Sequence, residues 1–271
     1  MRINTNVSAL NAWKNLMITD SMMGKSLEKL SSGYRINRAA DDAAGLAISE
    51  KMRGQISGLR QASRNAQDGI SLIQTAEGAL NETHSILQRM RELAVEAASS
   101  TVSDTDRTTI QGEVTNLISE LDRIANATQF NSTVLLNGSF TATILIGANN
   151  TTGETLNFNI VNMTASGIGV GTLGMSTIAL AQGALTTLDT ALGKVSTARA
   201  DLGAQQNRLE HTINNLNTAS ENLAAAESRI RDVDMALEMA TFTRHQILLQ
   251  AGTAMLAQAN VRPQNVLKLL G

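Results

Sequence analysis

The sequence predicts a mainly α fold: a long antiparallel coiled-coil helical bundle with a small β-hairpin region in the middle of the chain. Three observations carry that reading. Apolar residues recur every seven positions through long stretches of both halves, the spacing of helices that pack along a seam. The single proline is Pro263, so long helices can run without a kink. Hydrophobic residues make up 42% of the 271 but aromatics only 2%, leaving the core to Leu, Ile, Val, Met and Ala, with Ala, Leu and Met strong helix formers.

The first segment, 1–44, carries a loose apolar stripe of Val7, Leu10, Leu16, Leu27 and Leu30. A single helix cannot bury its own apolar face. This segment is therefore expected to pair with the last one, 235–271, or with neighbouring molecules, and to be helical in an assembly but mobile alone. A helical core domain is expected over 45–234. Its first long helix has Leu59, Ala66, Ile73, Leu80, Leu87 and Ala94 at intervals of seven. Three residues after each comes Ala62, Gly69, Ala76, Thr83, Met90 and Ala97, mostly small. Small residues along one row let helix axes approach closely.

A further helix is expected to start near Asp104, where Ser103 and Asp106 have the spacing of a capping box. Its apolar face is Ile110, Val114, Leu117, Leu121 and Ile124. The stretch 129–175 is rich in Asn, Thr and Gly and alternates from Thr141 to Ile146 and through Leu156, Phe158 and Ile160. One or two small hairpins are expected at about 130–180, with Asn137-Gly138 as a turn signal.

The strongest periodicity follows. Leu188, Val195, Leu202, Leu209, Leu216, Leu223, Ile230 and Leu237 are spaced strictly by seven and are the expected inter-helix core. The row three residues later is Ala191, Ala198, Gln205, Thr212, Ala219, Ala226, Val233 and Ala240.

Composition narrows the function classes. There is no cysteine, which excludes disulfides, thiolate metal sites and a cysteine nucleophile. No run of 18 apolar residues exists, so no membrane span is expected. Asn4, Asn6, Asn11 and Lys14 interrupt any secretory h-region. Residues 1–64 hold ten Lys/Arg against five Asp/Glu, and 65–130 hold four against ten. The basic residues are dispersed and lack an aromatic platform, so no nucleic-acid partner is expected. Gly169-Val170-Gly171-Thr172-Leu173-Gly174 fits a dinucleotide pattern, but without a βαβ context it reads as a flexible loop. His84, His211 and His245 form no metal pattern, and Asp41-Asp42 reads as a turn or helix cap. No catalytic residue, metal or cofactor is expected.

Several motifs are specific. Met1-Arg2-Ile3-Asn4-Thr5-Asn6, Leu27-Glu28-Lys29-Leu30-Ser31-Ser32-Gly33-Tyr34-Arg35-Ile36-Asn37 and Asp41-Asp42-Ala43-Ala44-Gly45-Leu46-Ala47-Ile48 stand near the start. Gln67-Asp68-Gly69-Ile70-Ser71, Gln74-Thr75-Ala76-Glu77-Gly78-Ala79-Leu80 and Leu87-Gln88-Arg89-Met90-Arg91-Glu92-Leu93 follow. Gln206-Asn207-Arg208-Leu209, Ala226-Glu227-Ser228-Arg229-Ile230-Arg231-Asp232-Val233-Asp234 and Gln258-Ala259-Asn260 close the set. Over roughly 1–136 and 180–271 the chain resembles bacterial flagellins, in a minimal form without inserted outer domains.

The resemblance implies a structural subunit of the flagellar filament, with a hook–filament junction protein as the alternative. It further implies unfolded export by the flagellar type III system, without a cleaved signal, and polymerisation at the tip for swimming motility. The inner tube would be built from about 1–44 and 235–271. Implied partners are other copies of the chain, filament cap and hook-junction proteins, and an export chaperone at the C-terminal helix. A vertebrate Toll-like receptor would be met by Gln88, Arg89 and Leu93, with Glu113 on the next helix. The same residues would also serve the filament lattice.

Overall fold

A computed structural model describes residues 6–149 and 151–270, apart from the side chains of residues 152 and 262–270. The order is α1 (Val7–Ser32), α2 (Ala43–Ala97), α3 (Asp104–Ala127), β1 (Gln129–Phe130), β2 (Thr133–Val134), β3 (Thr141–Leu145), β4 (Thr155–Asn159), α4 (Ala165–Ile168), α5 (Ile178–Arg231) and α6 (Met235–Leu270). The chain divides into two compact units, Met1–Gly54 with Glu221–Gly271, and Gln55–Ser220. These borders fall inside α2 and α5 rather than at 44/45 and 234/235, because both helices continue through them.

In the 55–220 unit the periodic rows form the core. Ala66, Ile73, Leu80, Leu87 and Ala94 of α2 are buried, as are Ala62, Ala76, Met90 and Ala97 of the small row. On α5, Leu188, Val195, Leu202, Leu209 and Leu216 are buried. Cross-helix contacts give the direction. Ser63 donates to Asn217 at 3.3 Å, Arg199 pairs with Glu77 at 3.7 Å, and Arg91 donates to Asp189 at 2.7 Å. As α2 advances its partners on α5 descend, so the helices are antiparallel. Gly69 has a steric reason: a Cβ there would stand 3.3 Å from Leu209 Cδ1 and 2.4 Å from Ile144 Cδ1. The glycine admits a β3 side chain against the α2–α5 seam.

The third helix is capped as its sequence suggests. Ser103 Oγ accepts from Asp106 N at 3.3 Å and donates to the Asp106 carboxylate at 2.7 Å. The turn before it is held by a buried cation: Arg107 donates to Ala97 O at 2.8 Å, Ser99 O at 2.7 Å and Asp104 Oδ1 at 2.6 Å. It thus satisfies the last carbonyl of α2, Ala97 O, and adds a donor to Ser99 O, which also accepts from Val102 N at 3.4 Å.

Both strand pairs are antiparallel two-stranded ribbons, β1 with β2 and β3 with β4, Ala142 facing Phe158 and Ile144 facing Leu156. The tight turn is at Asn131-Ser132, both at positive φ (49° and 64°), the backbone a two-residue hairpin needs. Asn137-Gly138 instead lies between the two ribbons. There Gly138 has φ 82° and Leu136 O accepts from Met163 N. The 169–177 loop is packed into the core: Val170, Leu173 and Met175 are buried. Gln111 clamps it, donating to Leu173 O at 3.1 Å and accepting from Met175 N at 2.5 Å.

The row of eight does not continue to its end. Leu223 and Ile230 are half-buried, α5 stops at Arg231, and Leu237 lies on α6, 68% exposed. The cause is local. Val233 N–H donates to Gly33 O rather than to its own helix. Asp234 Oδ1 accepts from Ala236 N and Leu237 N at 3.0 and 3.1 Å, opening a new helix.

Candidate functional site

The unit formed by 1–54 and 221–271 has the opposite surface character. Its first helix is capped by Asn6, whose side chain accepts from Ala9 N at 3.1 Å, and ends at Gly33 in the left-handed region with φ 75°. α1 packs on α6. Asn6 Nδ2 donates to Ala259 O at 2.8 Å, and a Cβ on Gly252 would stand 3.0 Å from Leu16 Cδ1. α1 and α6 are therefore helical and paired within the single chain. Pairing does not consume their apolar faces: Val7, Leu10, Trp13, Met17, Ile18, Met22 and Leu27 of α1 remain exposed. So do Met235, Leu237, Met239, Ile247, Leu248, Met255 and Val261 of α6. Leu10, Trp13 and Met17 fall at i, i+3 and i+7, on one helical face. Apolar exposure on this scale marks a contact surface.

At the other end of this pair the two interhelix links are stitched together. Arg35 N donates to Arg231 O at 2.7 Å, Val233 N donates to Gly33 O at 3.0 Å, and Tyr34 bridges Asp232 antiparallel. The Arg231 guanidinium stands 4.8 Å from the Tyr34 ring centroid and donates to Glu50. That hydrogen bond is the main cause holding the Glu50 carboxyl below its ordinary value. Sequence reading missed this junction, because Tyr34, Glu50 and Arg231 are linked only by folding. Asp42 Oδ1 accepts from Gly45 N at 2.8 Å, and Asp41 Oδ2 accepts from Arg38 N at 3.0 Å and Asn37 N at 3.3 Å. The two carboxylates are thus a cap and a turn clasp.

The second expected site lies on α2 and α3. Gln88, Arg89 and Glu113 are exposed. Arg89 donates to Glu113 Oε1 through Nε and Nη2 at 3.2 and 3.1 Å, and to Glu92 at 3.2 Å. Those carboxylates, Glu92 first, raise the Arg89 pKa. Gln88 contacts His84 Nε2 at 3.0 Å. Leu93 does not belong with them: it is 3% exposed and sits in the core. Its side chain holds the helices together and is closed to a partner. Val95, exposed beside this face, fell outside both periodic rows and was not singled out.

Among the described residues no group of three or more His, Asp or Glu is placed to hold a metal. None of their helices is long and apolar enough to cross a membrane.

Residues 3–141 match the bacterial flagellin N-terminal helical region, and 185–270 match the C-terminal helical region. The chain belongs to the bacterial flagellin family. It is 53% identical to a flagellin of Bacillus subtilis and 55% identical to one of Halalkalibacterium halodurans, each alignment covering 100% of both chains. It is 52% identical, again over 100% of both chains, to a flagellar filament 33 kDa core protein of Treponema phagedenis. Among solved structures, Bacillus cereus flagellin matches with a TM-score of 0.52 at 36% identity, covering 60% of this chain and 94% of that one. A putative flagellar hook-associated protein from Vibrio parahaemolyticus shares the fold alone: TM-score 0.59, 14% identity, 71% of this chain and 100% of that one.

Proposed function

We propose that this flagellin is the structural subunit of a bacterial flagellar filament. In this reading it polymerises by seating the exposed apolar faces of α1 and α6 against other copies. The observation that carries the reading is the double row of large apolar side chains left open on α1 and α6. Family membership fits it, since relatives aligned end to end include named flagellins and a filament core protein. Contacts that join one surface to a different surface of the next copy do not close, and so generate a helical filament.

In this reading the chain leaves the cell unfolded through the flagellar type III system and works outside the cell. It meets cap and hook-junction proteins at the filament ends, and an export chaperone holds its C-terminal helix before export. It is not an enzyme. The Toll-like receptor surface reduces to Gln88, Arg89 and Glu113, which are exposed and paired; Arg89→Ala would weaken receptor binding by the monomer. Unchanged binding would remove that partner.

Electron microscopy of the purified, heat-depolymerised protein after adding short filament seeds tests the main reading. Long thin filaments are expected. A short ring or no polymer would favour the junction-protein alternative.

A further inference from the structure

Among the described methionines the fully buried ones lie in the 55–220 unit and the exposed ones in the other, where Met23 and Met52 are half-buried. Met90, Met163 and Met175, in the 55–220 unit, are at most 2% exposed. Met17, Met22, Met235, Met239 and Met255 are 48–64% exposed, and all five lie on α1 or α6. With no cysteine in the chain, these thioethers are the most accessible soft reductants among the described residues. Met17 shares a face with Leu10 and Trp13, and Met235 and Met239 are one turn apart, so the sulfurs belong to the open apolar surface.

We propose that these five methionines form an oxidation-sensitive patch, at which hydrogen peroxide or a related two-electron oxidant blocks assembly. The inference rests on the self-assembly reading above. In each event the sulfur attacks a peroxide oxygen. An S–O bond forms and the O–O bond breaks; the sulfur is oxidised by two electrons and the peroxide is reduced to water. The product is a sulfoxide, a polar acceptor in place of a flexible apolar group. Packing it into an apolar contact without a donor is unfavourable. Assembly repeats that cost at every subunit. The buried methionines of the other unit serve as an internal control, because their sulfurs are closed to the oxidant.

The test uses the full chain treated with hydrogen peroxide. Peptide mass spectrometry follows sulfoxide at each methionine, and sedimentation gives the critical concentration for seeded polymerisation. Oxidation at 17, 22, 235, 239 and 255 is expected well before 90, 163 and 175. The critical concentration should rise roughly tenfold or more, given the cost of burying an unpaired polar group. Methionine sulfoxide reductases should restore it. The variant M17L/M22L/M235L/M239L/M255L should polymerise in peroxide as the untreated chain does. Where that variant does not assemble untreated, the reductase arm decides: recovery supports the patch, and no recovery overturns it. Unchanged polymerisation at full sulfoxide conversion also overturns it, as does an equal loss in the Leu variant. Failure of the untreated natural chain to polymerise removes the assembly reading and this inference with it.

Discussion

Two apolar inventories, one closed and one open, divide this molecule. In the 55–220 unit the heptad rows of α2 and α5 meet each other and α3, and their large side chains are buried. In the unit formed by 1–54 and 221–271, α1 and α6 also pair, yet fourteen large apolar side chains among their described residues stay exposed. Similar composition therefore serves two ends. One set stabilises the single chain; the other stays exposed, and the proposed assembly would close it against other copies. The difference lies in partners: α2 and α5 have each other and α3, while α1 and α6 pack chiefly on one another.

That comparison breaks most directly on paired truncations. Leu80→Ala in the closed core should cost about 3 kcal/mol, the range for a buried leucine that leaves a cavity. Leu10→Ala or Leu237→Ala on the open faces should change unfolding by less than about 0.5 kcal/mol while reducing seeded polymerisation. Urea unfolding of the monomers measures the first quantity and sedimentation the second; equal stability losses at the two kinds of site would erase the distinction. Next in size is Arg107→Met, which strips the guanidinium donors from Ala97 O and Ser99 O and leaves Ser99 O with Val102 N alone. It should cost about 2 kcal/mol, since the buried Ala97 acceptor loses its donor. An unchanged urea midpoint would mean the turn does not need its cation.

A smaller effect is expected at the stitched links. Tyr34→Leu removes the ring beneath Arg231 and should cost about 1 kcal/mol, read as faster hydrogen exchange at Arg35 and Val233. The smallest concerns pH. Because Arg231 lowers the Glu50 pKa, the contact contributes fully above the ordinary value of 4.5. Its contribution fades as pH falls through the lower folded value. Acid unfolding of Glu50→Gln should therefore lack that part of the natural chain's pH dependence, and identical acid profiles would remove Glu50 from the account.

Much of the closed unit was legible because burial imposes a period. Leu188 to Leu216 and Ala66 to Ala94 keep one face turned inward, and seven-residue spacing records that. The Ser103–Asp106 cap was legible because it is made within one turn. What escaped depends on contacts distant in sequence. The end of the row at Ile230 is set by Val233 bonding to Gly33, which no periodicity encodes. Asn137-Gly138 has the composition of a hairpin turn, but Leu136 turns to Met163 instead, and the tight turn falls at Asn131-Ser132. Leu93 looked like an anchor beside Arg89 because motif resemblance does not report burial. The open faces of α1 and α6 were half legible: the stripes and the pairing of the two end segments followed from their apolar faces, and how much of each face stays exposed after pairing did not.

The most direct measurement compares seeded polymerisation of the full chain with that of a chain lacking residues 1–44 and 235–271, by electron microscopy. The account predicts long thin filaments from the full chain and none from the truncated one, with circular dichroism showing the truncated chain still helical. Filaments from both would contradict it, placing the assembly contacts on the 55–220 unit instead of on α1 and α6.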